Sequence, residues 1–366
     1  MSQTFEDIGG KDGPSSVNIP LKNLSDIDFY KAIEAYIRNI GATGGHDNIR
    51  RQSVRFQIMR ERFAAYCQLF IDATGAEYIA PDLYPLYGEG PMSNYIMSLQ
   101  TAAEVAKANG IDLYVVSQTH SYVPGDSNST RILSDADARW LNNTLLAFGV
   151  KNIIYFTYHQ SGDDSAGFYH DGSSWTYMTG EKTPFWYDMQ KVLAENQAFA
   201  STYQAFSLNK TKIYYSPLGL HASDYLAFAN DVKYDDVICD NAVGKDVDIS
   251  FVAGVEVNGD ATIVSEFIDA RGRYMYAVTN LIDPQYKGVD AYQSATITFD
   301  SAYTHAIVWR NGVRKLVVLD ENHSITFENG AGESVYVIPY TYEEKSEYWN
   351  DEGFGDNGIH FPGYNA

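Results

Sequence analysis

Three short apolar segments decide the fold of this 366-residue chain: Glu77-Tyr78-Ile79-Ala80-Pro81, Leu113-Tyr114-Val115-Val116-Ser117 and Asn152-Ile153-Ile154-Tyr155-Phe156. Each of them is followed by a helical pattern rather than by a tight turn. Runs of this kind are typical of strands that are buried on both faces of a parallel sheet. The sequence therefore predicts three consecutive strand-helix units.

Polar and aromatic side chains follow each predicted strand. The first strand leads to Asp82-Leu83-Tyr84-Pro85, the second to Gln118-Thr119-His120, and the third to Thr157-Tyr158-His159-Gln160. Ligands of parallel sheets bind beyond the carboxyl ends of the strands, because the loops converge there. We therefore expect the functional site at these three strand ends.

Two helical patterns precede the first predicted strand. The longer one covers residues 48–74 and ends at Gly75, and a shorter one covers residues 28–40. The shorter pattern places five apolar residues at the spacing of one helical face. These residues are Phe29, Ile33, Tyr36, Ile37 and Ile40.

Three further helices are predicted after the strands. The first is expected to begin after Ser93 as its N-cap and to end at Asn109. The second opens at Ser134 with a variant of the capping box, and the third extends from Thr183 to about Phe206.

The pattern changes after about residue 210, where short alternating strands are separated by turns. Strands at this spacing indicate an antiparallel β-sandwich. Seven strands are predicted, at residues 262–267, 274–280, 295–299, 305–310, 315–319, 324–327 and 334–339.

The composition excludes several classes of partner. The chain has 47 acidic and 26 basic residues and a formal net charge of -21, which argues against binding to nucleic acid or to an anionic membrane. The two cysteines, Cys67 and Cys239, and the eight histidines are dispersed, so that no disulfide, metal site or cofactor is predicted.

The first 26 residues contain no basic region followed by an apolar run, so no signal peptide or membrane span is predicted. The compartment stays open. It is extracellular or periplasmic if the chain belongs to a longer secreted protein, and cytoplasmic otherwise.

Aromatic residues are abundant, with 29 Tyr, 18 Phe and 5 Trp. Their rings suit the faces of sugars, which offer apolar C–H surfaces for stacking and hydroxyls for hydrogen bonds. The alternative interpretation is a tyrosine-rich interior and surface without a ligand.

The residues at the strand ends resemble those of a known enzyme family. Asp82-Leu83-Tyr84-Pro85, a strand that ends in Gln118, and Ala147-Phe148-Gly149-Val150-Lys151-Asn152-Ile153-Ile154-Tyr155-Phe156-Thr157-Tyr158 follow one another as in the last part of a clan A glycoside hydrolase barrel. The resemblance is to family forty-two β-galactosidases and related uncharacterised barrel proteins of carbohydrate-degrading bacteria. In these the sixth strand ends in an Asp-x-Tyr-Pro motif and the eighth ends in aromatic residues.

The C-terminal part resembles the small β-domain that closes such hydrolases, on the residues Val264-Ser265-Glu266-Phe267, the Gly272 turn, Tyr274–Asn280 and 332–339. The resemblance implies an α/β plus all-β fold, in which a partial TIM-type (β/α) barrel precedes an antiparallel β-sandwich. The expected organisation is a loop or tail over residues 1–25, the partial barrel over 26–209, the sandwich over 210–340 and an acidic aromatic tail over 341–366.

Two departures from the family matter. A complete barrel has eight strands, whereas three strand-helix units precede the sandwich here. The chain is therefore either the C-terminal portion of a longer protein or a half barrel that must self-associate. In addition, Gln118 stands where the family carries its nucleophilic Glu, and the acid/base residue of the fourth strand has no counterpart. An amide cannot form the glycosyl-enzyme intermediate.

The resemblance implies a carbohydrate as the ligand and a set of candidate site residues. The candidate catalytic positions are Gln118, Asp82 and His120, and the candidate substrate-binding residues are Tyr84, Tyr158, His159, Tyr169 and Trp175. The loop carboxylates that are alternatives to the missing pair are Asp126, Asp163, Asp164 and Glu181.

Each candidate also has a structural interpretation. Asp82 and Tyr84 can form a strand-terminating turn, His120 can be a structural histidine, and Tyr158 can be a core aromatic. Three functions remain open from the sequence. They are hydrolysis of O-glycosidic bonds, carbohydrate binding at a degenerate hydrolase site, and a structural role at a surface.

Overall fold

The computed structural model describes residues 47–87, 90–91, 94–121, 130–159, 174–215, 248–258, 261–285 and 291–343 of the chain. The predicted helix at residues 28–40, the candidate site residue Tyr169, Cys239 and most of the predicted tail lie outside these residues.

Four parallel strand segments form the first sheet. Its centre is β5 (Asp112–Gln118), which pairs in parallel with β1 (Tyr78–Ile79) and β2 (Asp82–Leu83) on one side and with β6 (Asn152–Phe156) on the other. The single first strand predicted from the sequence is thus interrupted and continues into Asp82. The other elements of this half are α1 (Asp47–Thr74), β3 (Leu86–Tyr87), β4 (Gly90–Pro91), α2 (Tyr95–Asn109), α3 (Asp135–Ala147) and α4 (Pro184–Gln204).

The helix ends follow local chemistry. Ser134 and Asp137 form a reciprocal capping box at α3, and the Thr183 hydroxyl accepts from the Trp186 N–H at the start of α4. Gly110 ends α2 in the left-handed conformation, with φ of 64°. The N-cap of α2 is Asn94 rather than the predicted Ser93, and its side chain makes no capping bond.

The helices cover one face of the parallel sheet. Leu113 and Val115 of β5 are buried in one core with Phe63 of α1, Leu99 of α2 and Leu145 of α3. Because side chains alternate along a strand, the intervening residues of β5 point to the opposite face. None of the described helices is long and apolar enough to cross a membrane.

The C-terminal half consists of antiparallel strands in two sheets. The six-stranded sheet has the order β13-β12-β15-β10-β9-β7, and the three-stranded sheet has the order β14-β11-β8. Side chains of both sheets meet in a shared core that includes Val278, Ile297, Phe299 and Val337. The strands are β7 (Phe206–Tyr215), β8 (Val252–Asn258), β9 (Ala261–Asp269), β10 (Tyr274–Asn280), β11 (Gln293–Phe299), β12 (Tyr303–Arg310), β13 (Val313–Val318), β14 (Ser324–Asn329) and β15 (Ser334–Thr341).

All seven predicted strands are present, but the prediction missed β7 and β8. The register of β7 shifts between Leu208 and Lys210, and this irregularity breaks the alternation that identifies a strand. In β8, Gly254 interrupts the pattern, and four of the seven residues are exposed while the other three are half-buried. The strand β7 begins at Phe206, four residues before the predicted start of the sandwich at residue 210.

The two halves pack tightly against each other. Trp140 of α3 donates from its indole N–H to the Leu281 carbonyl (3.3 Å), and Asn143 donates to the Gly332 carbonyl (2.8 Å). A side chain at Gly332 would approach the Trp140 backbone to 2.5 Å, and its φ is +71°. Glycine is therefore required where α3 meets the sandwich.

Candidate functional site

The ends of β2, β5 and β6 converge as their sequences predict. The Tyr84 ring lies 6.0 Å from the Phe156 ring in a stacked arrangement and 5.2 Å from the His120 ring in an edge arrangement. The Thr119 N–H donates to the Phe156 carbonyl (2.9 Å), and the peptide bond between Phe156 and Thr157 is cis. Residues from all three strand ends thus form one cluster.

Gln118 is fully buried, and its side-chain amide pairs with the backbone of Leu86 as a neighbouring strand would. Its Oε1 accepts from the Leu86 N–H (3.0 Å), and its Nε2 donates to the Leu86 carbonyl (3.2 Å). These two bonds fix the segment that follows Tyr84 to the end of β5. A carboxylate cannot make the second bond, because it has no hydrogen to donate. Gln118 therefore has a structural use at this position.

His120 is also fully buried, and it lies between aromatic rings. Its Nδ1–H donates to the Phe156 carbonyl at 2.8 Å, and its ring contacts the ring of Phe156 edge-on at 5.2 Å. Burial lowers the pKa of His120, and the bond to the carbonyl partly opposes this shift. The imidazole is therefore neutral at pH 7 and holds β5 to β6.

Among the described residues at these strand ends, which are 82–87, 118–121 and 156–159, Asp82 is the one acidic residue. It is partly buried, and the Tyr84 hydroxyl donates to its Oδ1 at 3.4 Å. Burial raises the pKa of Asp82, and the Tyr84 hydroxyl opposes the rise. The pair presents a hydroxyl and a carboxyl group beside the His120 and Phe156 rings.

Tyr158 and Trp175 form an aromatic pair beyond the end of β6. Their ring centroids are 5.5 Å apart, and the backbone N–H of Trp175 donates to the Tyr158 carbonyl (3.2 Å). Trp175 also contacts the Tyr155 ring at 5.3 Å, which anchors it to the core. Tyr158 is 57% exposed, so its ring is available to a ligand.

His159 and Glu181 lie at the margin of this cluster. His159 is exposed and its Nδ1 is 3.1 Å from the Thr176 hydroxyl. Glu181 is an exposed residue of a turn, in which its carbonyl accepts from the Tyr177 N–H. The alternative carboxylates Asp126, Asp163 and Asp164 lie outside the described residues, as does Tyr169.

Comparison with known proteins gives no family assignment. No family model matches the chain, and no curated protein matches it. A solved rhamnosidase from Novosphingobium sp. PP1Y is similar over 73% of this chain and 35% of its own length, with 13% identity and a TM-score of 0.43. A glycoside hydrolase matches over 74% of this chain and 54% of its own length, with 13% identity and a TM-score of 0.38.

A family 5 glycoside hydrolase from Bacteroides vulgatus ATCC 8482 is similar over 89% of this chain and 80% of its own length, with 12% identity and a TM-score of 0.30. The chain thus spans about a third of the rhamnosidase and about half of the second structure. These similar structures are glycoside hydrolases.

Phe156 is the site residue that sequence reasoning missed. The sequence analysis places Phe156 in the third strand only, yet its ring stacks on Tyr84 and its carbonyl accepts from both Thr119 and His120. Phe156 is the last residue of its strand, at the end where the site was expected, and this position could have identified it as a site residue. Within the part of the chain that the structure describes, no group of three or more His, Cys, Asp or Glu side chains is arranged to hold a metal ion.

Proposed function

We propose that this chain is a glycoside hydrolase-like protein that binds carbohydrate at the ends of β2, β5 and β6. The observation that carries the proposal is the exposed Tyr158 ring, held by Trp175, next to the strand that presents Phe156 to Tyr84. The three strand-helix units are proposed to correspond to the last part of a (β/α) barrel, and the sandwich to the β-domain that closes such enzymes.

The chemistry of these groups suits a sugar ring. Tyr158 offers an apolar face for C–H stacking, whereas Asp82 and Tyr84 offer an acceptor and a hydroxyl for sugar hydroxyl groups. The Tyr84 ring packs against His120 and Phe156, the Tyr158 ring packs against Trp175, and Asp82 accepts from the Tyr84 hydroxyl. A ligand therefore meets a site whose geometry is already formed, which lowers the entropic cost of binding.

Binding is better supported than hydrolysis. A glycosidase needs two carboxyl groups on either side of the bond that is cleaved. Asp82 is one carboxyl at the described strand ends, and the position of the family's nucleophile is taken by the amide of Gln118. That amide is directed to the Leu86 backbone.

The first test of binding is the variant Tyr158→Ala. We expect glycan affinity to fall by about tenfold, equivalent to ~1.4 kcal/mol, because a stacking ring is removed. The ligand is the oligosaccharide that gives the strongest signal when galactan, xylan, xyloglucan and rhamnan fragments are screened, and affinity is measured by isothermal titration calorimetry.

Tyr292→Ala is the matched control, because Tyr292 is similarly exposed (62%) and precedes β11 in the sandwich. We expect this control to bind as the unchanged chain does. Equal losses in both variants, or no binding of any fragment by the unchanged chain, would contradict the proposed site and favour a structural role.

Hydrolysis is the second candidate, because burial raises the pKa of Asp82, which is the direction that a general acid requires. If the chain releases reducing sugar from these fragments, we expect Asp82→Asn to lower the rate by about 10²–10⁴-fold. The rate should fall as pH rises through the raised pKa of Asp82, because the proton is lost. A chain that binds but releases no sugar rejects this candidate and leaves the binding proposal intact.

A further inference from the structure

A cavity of about 290 Å³ lies between β6 and helix α4, and we name it the α4 cavity. Ile153 and Tyr155 of β6 line one side of it, and Leu193 and Ala200 of α4 line the other. Its volume is close to the lower end of the ~300–1,000 Å³ that small-molecule sites usually have. None of the described residues that line it belongs to the cluster at the strand ends. The α4 cavity is therefore separate from the proposed glycan site.

The walls of the α4 cavity are mainly apolar. Leu193 presents an aliphatic side chain, and the rings of Phe199 and Tyr203 belong to a buried cluster between α4 and the sandwich. The Tyr203 hydroxyl donates to the Val150 carbonyl at 3.0 Å, which fixes the position of its ring. A ligand with an apolar body can therefore bury hydrocarbon surface against walls that the core holds in place.

Lys151 is the one charged side chain among the described residues that line the α4 cavity. Its Nζ donates to the Phe206 carbonyl at 2.5 Å and lies 3.5 Å from the Tyr203 carbonyl, near the C-terminal end of α4. It also lies 4.9 Å from the centroid of the Tyr203 ring. Both hydrogen-bond partners are neutral. An ammonium group has three N–H donors, so one donor is left for a ligand.

The charge at Lys151 favours an anion in the α4 cavity. Burial lowers the pKa of Lys151, and the charge of Asp112, which does not line the cavity, partly opposes this shift. An anion in the cavity would offset the cost of burying the ammonium, because opposite charges attract more strongly where water is excluded. The net charge of -21 repels anions at long range, but salt screens such charges beyond about 8 Å.

We propose that the α4 cavity binds a small carboxylate with an apolar body, of the arylalkanoate class. The carboxylate accepts from the Lys151 Nζ, and the apolar body lies against Leu193 and Phe199. Because a water molecule takes about 30 Å³ of liquid, the cavity has room for about ten non-hydrogen atoms. Binding at this site does not depend on glycan binding at the strand ends.

Two compounds of the same shape test the recognition of charge by the full-length chain. They are 3-phenylpropionate and its neutral amide, 3-phenylpropionamide, and the Kd of each is measured by ligand-observed NMR. We expect a Kd of about 0.1–1 mM for the carboxylate. The amide should bind about tenfold more weakly, because it cannot form a charge-assisted hydrogen bond with an ammonium group.

Lys151→Met keeps an apolar side chain at this position and removes its charge. We expect this variant to bind 3-phenylpropionate about tenfold more weakly, so that the carboxylate and the amide bind equally, because the charge-assisted hydrogen bond is gone. Lys151→Arg keeps the charge and should retain the preference for the carboxylate. The affinity for the amide should change little in either variant.

Ala200→Trp tests the location of the site without changing Lys151. Ala200 is exposed and lines the α4 cavity, so an indole at this position takes up the space of the ligand. We expect both compounds to bind at least about tenfold more weakly, because most of their apolar contact is lost. Ala194→Trp is the matched control, since Ala194 is also exposed on α4 but is not one of the residues that line the cavity. It should bind both compounds as the unchanged chain does.

Four results overturn the proposal. No binding of either compound by the unchanged chain means that the α4 cavity is not a site for this class of ligand. Equal affinities for the carboxylate and the amide mean that Lys151 recognises no charge. Equal weakening of both compounds in Lys151→Met means that the lysine has a structural role only. Binding that survives Ala200→Trp, or that is lost equally in Ala194→Trp, means that the compounds bind elsewhere. If Lys151→Met does not fold, the comparison of the two compounds and the tryptophan variants still decide.

Discussion

Arg131→Met is expected to destabilise the fold by about 3–5 kcal/mol, because it leaves buried carboxylates without their cation. The Arg131 Nη2 contacts Asp137 at 2.5 Å and Asp283 at 2.8 Å, and all three side chains are almost fully buried. Asp137 belongs to the capping box of α3, and Asp283 follows β10 in the sandwich. The guanidinium therefore joins the two halves of the molecule.

Unfolding in urea, followed by circular dichroism, measures this effect. Lys191→Met is the control, since Lys191 and Asp135 form an exposed pair at 3.8 Å. An exposed pair of this kind contributes less than about 1 kcal/mol. The double variant Arg131→Met with Asp283→Asn should be more stable than the sum of the two single effects implies, because it removes one of the stranded charges. Simple additivity would show that Arg131 does not act through Asp283.

Gln118→Glu is expected to cost about 3–4 kcal/mol at pH 7, because burial and the facing Leu86 carbonyl raise the pKa of the new carboxyl in the folded state. The introduced carboxylate would lie where Gln118 is fully buried, and it would face the Leu86 carbonyl without a hydrogen to donate. Repulsion between these oxygens and loss of hydration both oppose ionisation.

The cost should depend on pH in a defined direction. The pKa of the new carboxyl is higher in the folded state than its unfolded value of about 4.3, so the loss of stability is complete above the folded pKa. It shrinks as pH falls, because the protonated acid donates to the Leu86 carbonyl as the amide does. Urea unfolding of the variant and the unchanged chain at pH 7 and pH 4.5 measures this difference.

Gln190→Glu serves as the control, because Gln190 is exposed on α4 and its change should cost less than about 0.5 kcal/mol. We also expect Gln118→Glu to gain no glycosidase activity, since the side chain is directed at the Leu86 backbone rather than at Tyr84 and Asp82. Activity gained in this variant would show that position 118 faces the substrate, as the resemblance to the hydrolases implies.

Local chemistry explains how much of the fold was predictable. The runs around Val115 and Ile154 are apolar because their strands belong to a parallel sheet, and the cap at Ser134 is encoded in four adjacent residues. The strand β7 was not predictable in the same way. Its irregularity after Leu208 is tolerated because nine residues of β9 hold it in register through backbone pairing.

The candidate site was also predictable only in part. The strand pattern of the sequence places Asp82, Tyr84, His120 and Tyr158 at the carboxyl ends of one parallel sheet, and parallel strands bring such residues together whatever their side chains. Nothing in one strand reveals which partner its side chains meet across the sheet.

The contacts of Gln118 and Phe156 follow only from the tertiary structure. Gln118 bonds to Leu86, 32 residues away, and Phe156 stacks on Tyr84, 72 positions earlier in the chain. Contacts over such separations depend on how the strands are aligned and on what the loops leave exposed. In the sequence, the amide of Gln118 in the place of a nucleophile indicates a lost catalytic group. In the folded chain, the two hydrogen bonds of this amide hold the end of β5 to the segment that follows β2.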